Sequence, residues 1–138
     1  MKKKLLLMLT LCLLAQWSVA QAPKWVDKSK RAVFSVVTYD QDDKILNTGN
    51  GFFVTEDGVA LSDYTLFKGA RRAVVMSSDG AQMPVEAIMG ADDMYDVVKF
   101  RVGIPGKKVT ALTVAAVAPA AGADVYPVSY THLRAHET

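Results

Sequence analysis

Between Ala32 and Val102 the chain is a succession of short runs rich in β-branched and aromatic residues, each closed by a turn signal. Such runs suit a pleated, half-buried surface, and their spacing leaves little room for anything but antiparallel strands. Ala32–Tyr39 (AVFSVVTY) reads as a strand, followed by an acidic turn at Asp40–Asp43. Lys44–Asn47 reads as a short strand, Gly49-Asn50-Gly51 as a tight connection and Phe52–Thr55 as the next strand. Glu56-Asp57-Gly58 is a hairpin signal leading into Val59–Ser62. Tyr64–Phe67 reads as one helical turn; Ala73–Met76, Met83–Ile88 and Val97–Val102 read as further strands, with a turn at Ser77–Gly80. Gly103–Lys108 is a loop broken by Pro105 and Gly106, and Leu112–Ala115 is a candidate last strand. Pro23–Lys30 reads as a short helical lead-in. No stretch sustains a helical period and no repeat is visible, so the class expected is all-β, a barrel or a sandwich.

Both ends stand outside that pattern. Lys2, Lys3 and Lys4 precede an apolar run from Leu5 to Ala15, too short to span a bilayer, and Ser18-Val19-Ala20 supplies the small residues of a cleavage site. Residues 1–20 therefore read as a signal peptide, with Cys12 a small apolar member of its core rather than a lipid-attachment site. The expected location is periplasmic or extracellular, without membrane attachment after cleavage. At the other end, Val128–Thr138 (VSYTHLRAHET) resembles the in-frame translation of a transposase-type sequencing adapter. Residues 128–138 are set aside as a scar, and 21–127 are taken as one domain truncated near Pro127. His132 and His136, at a spacing that a helical metal site could use, fall within the scar. Residues 1–127 contain no histidine.

Sixteen basic and fourteen acidic residues give the whole chain a net charge of +2. Setting aside Lys2, Lys3, Lys4, Arg134 and Glu137 leaves residues 21–127 near −1. No basic stripe supports nucleic-acid binding, and Lys28, Lys30 and Arg31 read as a solvated face. With Cys12 lost in the leader, neither disulfides nor a thiol nucleophile are available, so the domain must rest on its apolar core.

One segment says more. Gly49–Ala70 reads GNGFFVTEDGVALSDYTLFKGA, and about thirty residues on come Gly90-Ala91-Asp92 and Asp96-Val97-Val98-Lys99-Phe100-Arg101-Val102. In that order and separation these segments resemble two landmarks of the Deg/HtrA-type, trypsin-like serine peptidases. The resemblance covers roughly Ala32 to Val102. It implies the N-terminal, six- or seven-stranded antiparallel barrel of a chymotrypsin-like double-barrel fold, truncated before the barrel that carries the serine and the oxyanion hole. It also places Thr65 at the catalytic histidine and Asp96 at the triad aspartate. The triad needs an imidazole to take the nucleophile's proton and return it to the leaving amine. A threonine hydroxyl cannot hold that proton near neutral pH. Asp96, with no histidine to orient, is expected to bond nearby backbone N–H groups or Thr65 and to cap its strand.

The role implied is therefore that of an exported peptidase homologue, serine-type by family and inactive as written, with no cofactor and no metal. The expected partner, if there is one, is a peptide or unfolded protein. A non-enzymatic pseudoprotease that binds peptides is the alternative, with Phe52, Phe53, Leu66 and Phe67 as either cleft or core. An exported β-domain of merely similar architecture is the third reading. Ser29, Ser35, Ser62, Ser77 and Ser78 match no nucleophile motif. Asp92, Asp93 and Asp96 have a spacing that fits no standard calcium loop.

Overall fold

The computed structural model describes residues 1–14 and 23–129. Helix α1 spans Lys2–Leu14 and helix α2 spans Lys24–Lys30; six strands follow, β1 Val33–Tyr39, β2 Ile45–Phe53, β3 Val59–Asp63, β4 Arg72–Met76, β5 Gln82–Asp92 and β6 Val97–Val102. All pairings are antiparallel, and the strands close in the order β1-β2-β3-β6-β5-β4. The fold is thus all-β, as the turn punctuation implied, and of the barrel and the sandwich it left open it is a barrel, with six strands, one of the two numbers the resemblance implied. Two three-stranded meanders face each other, sealed where β3 meets β6 and where β1 meets β4.

Alternation decides which side chains fill the interior. In β6, Val98, Phe100 and Val102 are buried while Val97, Lys99 and Arg101 are turned outward, the period of two that a one-sided strand requires. The interior is a cluster of Phe34, Val36, Phe53, Ala60, Val75, Met83, Val98, Phe100 and Val102. Phe34 packs edge-on against Phe53, with ring centroids 4.8 Å apart, and against Phe100 at 6.3 Å. One end of the barrel is covered by Phe67, whose ring lies 5.0 Å from that of Phe100. The other end is closed by chain beyond β6, where Val109 N–H donates to Glu56 O and Leu112 N–H to Phe53 O, with Ile104, Val109 and Ala111 against the core.

Three sequence expectations are corrected. Lys44–Asn47 and Phe52–Thr55 are not separate strands, and Gly49-Asn50-Gly51 is not a connection: one strand, β2, runs through them. The glycines are there for space. A Cβ at Gly51 would stand 2.6 Å from Phe34 Cε2 and 2.8 Å from Leu61 O, and one at Gly49 would stand 2.4 Å from Leu66 Cδ1. Glycine within a strand here marks a close approach, not a turn. Secondly, β5 runs past Ile88 to Asp92 because it pairs with β6 along the whole hairpin. Thirdly, Leu112–Ala115 forms no strand, since each strand of the closed barrel already has two neighbours.

The apolar run near the N-terminus is helical as far as Leu14, with Leu5, Leu6, Leu7 and Leu9 exposed. No helix among the described residues is long and apolar enough to cross a membrane. The cleavage residues Ser18–Ala20 and the histidines of the adapter-like tail lie outside the described residues.

Candidate functional site

The chain leaves β3 at Asp63 and must cross one end of the barrel to begin β4. It does so through a single 3₁₀ turn, Tyr64–Leu66, closed by Phe67 N–H donating to Tyr64 O. A turn this short leaves its first N–H groups without internal partners. The partners come from Asp96, in the connection between β5 and β6. Asp96 O accepts from Tyr64 N–H at 3.1 Å. Asp96 Oδ1 accepts from Thr65 N–H at 2.6 Å and from the Thr65 hydroxyl at 2.8 Å. Thr65 and Asp96 are therefore brought together across thirty-one residues of sequence. To present its carboxylate this way Asp96 adopts a left-handed backbone, φ 54°. Aspartate tolerates that region better than most side chains, at a cost on the order of 1 kcal/mol.

The other end of the turn is held by residues the sequence did not flag. Thr38 is fully buried; its hydroxyl donates to Leu66 O at 2.8 Å and accepts from Asn47 N–H at 3.1 Å. Asn47 Nδ2 also donates to Leu66 O, at 3.3 Å. Thr38 and Asn47 are opposed on β1 and β2, so the barrel wall itself anchors the turn. Their polarity inside apolar runs was the available signal, because a buried hydroxyl must be bonded to something.

The surrounding carboxylates are already engaged. Asp92 Oδ1 accepts from Met94 N–H at 2.9 Å and Tyr95 N–H at 3.0 Å, fixing the β5–β6 turn. Asp93 pairs with Lys68, and this hydrogen bond holds the Lys68 ammonium above its ordinary pKa. Among the described residues no group of side chains is arranged to hold a metal ion. Of the serines, Ser62 Oγ donates to Asn50 O at 2.7 Å, Ser29 Oγ to Trp25 O at 2.8 Å and Ser77 Oγ to Asp79, while Ser35 is buried and Ser78 is exposed.

Of the four apolar candidates for a cleft, Phe53 is core, Phe67 covers the barrel end and Leu66 lies over Gly49. Phe52 lines a surface groove of about 340 Å³, with Val33, Leu61, Ser62 and Val97 among its other walls.

Chemically, a hydroxyl bonded to a carboxylate can position a backbone turn, but it cannot shuttle a proton at neutral pH. The closed six-stranded barrel is compatible with a chymotrypsin-like barrel. No protein-family model matches the chain, and no curated protein matches it.

Proposed function

We propose that this chain is the first barrel of an exported, trypsin-like serine peptidase homologue whose catalytic base has been replaced, and that it hydrolyses no peptide as written. The observation that carries the reading is the Thr65–Asp96 contact. The positions that the two sequence landmarks align with the triad histidine and aspartate lie within hydrogen-bonding distance, at one end of a closed antiparallel barrel. In a working triad the aspartate holds the imidazole in its tautomer and stabilises its protonated form. Here the same carboxylate holds the turn that carries Thr65.

The reading is tested by restoring the missing group. In a Thr65→His variant, the new imidazole beside Asp96 should titrate above the ordinary value of about 6.5, because a neighbouring carboxylate favours the protonated ring. Asp96→Asn in that background should bring it back down. Proton NMR of the imidazole resonances measures both. A ring that titrates normally, indifferent to Asp96→Asn, would end the homologue reading. Casein hydrolysis by the purified unmodified chain, lost on Asp96→Asn, would end the claim of inactivity.

A second reading, a peptide-binding pseudoprotease, is favoured by the groove lined by Phe52, which joins apolar walls to the Ser62 and Asp63 end of β3. Isothermal titration with unfolded casein should then show binding that Phe52→Ala weakens while the fold stays intact.

A further inference from the structure

The chain beyond β6 is tied to the barrel in two places, with a loose stretch between them. Leu112 N–H donates to Phe53 O at 2.8 Å, and Phe53 N–H donates to Ala32 O at 3.0 Å, so the segment departs from the strand end where α2 runs into β1. Residues 113–127 are all exposed, Val114, Val117 and Val125 among them. Among the described residues the one backbone hydrogen bond made beyond Leu112 is local, from Ala123 N–H to Ala120 O at 3.1 Å. A stretch with so few buried contacts and backbone partners opens at little cost.

The segment comes back to the barrel at Tyr126. Its ring meets that of Trp25 on α2 edge-on, at 89° and with centroids 5.4 Å apart, an arrangement that ring quadrupoles favour. The base of this contact is firm, because α2 buries Val26. Two residues further on, Val128 is half-buried and forms one wall of the groove that Phe52 lines, together with Val33, Leu61 and Val97. Phe52 is opposed to Val33 on β1 and to Leu61 on β3, while their neighbours Phe34, Phe53 and Ala60 fill the core. The three thus form an apolar row across the outside of the barrel. Neither Trp25 nor Tyr126 lines the groove.

We propose that the Trp25–Tyr126 pair is a latch, and that residues 113–128 are a flap whose end is the movable wall of this groove. Latched, the flap grips an extended apolar peptide segment against Phe52; unlatched, it lets the segment enter and leave. The class of occupant follows from the walls, since a row of apolar side chains beside a chain running free of the sheet suits a short apolar segment and offers no charged clamp. The occupant rests on the peptide-binding reading above; the latch does not. Both latch residues lie within 21–127, and Val128, where the adapter-like stretch begins, is the residue that the latch brings to the groove in this chain.

The test follows Trp25 fluorescence in the full chain, with Trp17→Phe leaving Trp25 as its one tryptophan. Tyr126→Ala should shift the emission to longer wavelength, as the indole loses its cover. Val128→Asp, which alters the groove end of the flap and not the latch, should shift it in the same direction. Val117→Asp adds the same charge in the loose stretch and should leave the emission in place. An emission that answers to Tyr126→Ala but not to Val128→Asp would overturn the proposal, since the two contacts would then not belong to one flap. Isothermal titration with unfolded casein tests the occupant. Tyr126→Ala should weaken binding severalfold, as Phe52→Ala does, although Tyr126 does not line the groove; unchanged or tighter binding would also overturn the proposal. If casein binds none of these proteins while both substitutions still move the Trp25 emission, the latch stands and the peptide-binding reading falls.

Discussion

At the scale of single residues the molecule is decided by a few polar side chains that reach across the barrel end. Thr65 and Asp96 form one such pair. The bond from a hydroxyl to a carboxylate should contribute about 1–2 kcal/mol. Thr65→Val is thus expected to cost about that much in urea unfolding, and close to nothing in an Asp96→Ala background, where the acceptor is already gone. Equal costs in both backgrounds would mean that the two side chains are not coupled. Thr38 carries a larger stake, because Thr38→Val leaves Leu66 O and Asn47 N–H with a poorer set of partners in a buried place. A loss of about 1–3 kcal/mol is expected from that substitution, read as a lower urea midpoint. Asp43 offers a pH test. Its carboxylate accepts from Arg72 Nε at 2.9 Å, and Arg72 lies 3.7 Å over the Tyr39 ring. First this hydrogen bond and then the guanidinium charge hold the Asp43 pKa below its ordinary 3.8. A lowered folded-state pKa contributes stability that is complete above the unfolded value and fades as pH falls through the folded one. The stability difference between the protein and Asp43→Asn should therefore be constant from pH 5 to 7 and shrink below about 3.8. Asparagine tolerates the left-handed backbone at this position, φ 60°, so the comparison isolates the charge.

At the scale of elements, β2 shows how a local signal can be read correctly and still mislead. Gly49 and Gly51 are close-approach glycines, and the two approaches differ in kind. At Gly51 a methyl group would meet the Phe34 ring and the Leu61 carbonyl, both fixed; at Gly49 it would meet the tip of Leu66. Gly51→Ala should therefore destabilise by about 1–3 kcal/mol or more, as overpacking does. Gly49→Ala should cost less and act by displacing Leu66 and the turn beside it. Thermal melts of the two variants give the order, and a reversed order would mean that the 3₁₀ turn is more rigid than the barrel wall. The hairpin of β5 and β6 is the second element whose length mattered. Met83–Ile88 was legible as a strand from its alternation, but its extension to Asp92 comes from pairing with β6 and could not be read from Met89, Gly90 and Ala91 alone.

At the scale of the whole molecule the barrel is held by contacts between residues far apart in sequence. β1 closes on β4, β3 on β6, and the aromatic cluster joins Phe34, Phe53 and Phe100 from three strands. Phe100→Ala should cost about 3–5 kcal/mol, because a buried ring packed against those of Phe34 and Phe67 leaves a cavity that the walls cannot fill. Much smaller losses would mean that the barrel collapses onto the gap. Helix α1 presents Leu5, Leu6, Leu7, Leu9 and Leu11 to solvent, so removing residues 1–20 should leave the melting temperature of the barrel unchanged.

The sequence by itself determined the all-β class, the places of most strands and a helical turn within Tyr64–Phe67. Each rests on short-range chemistry: alternation, β-branching and turn residues. Only the tertiary structure decided that Gly49 and Gly51 lie inside one strand, that Thr38 and Asn47 hold the turn, and that Leu112–Ala115 has no sheet to join. In each of these the deciding partner is distant in sequence: the Phe34 ring, the Leu66 carbonyl, and a barrel whose seams were already closed. Local pattern reports what a segment can do; which neighbours it meets is set by how the barrel closes.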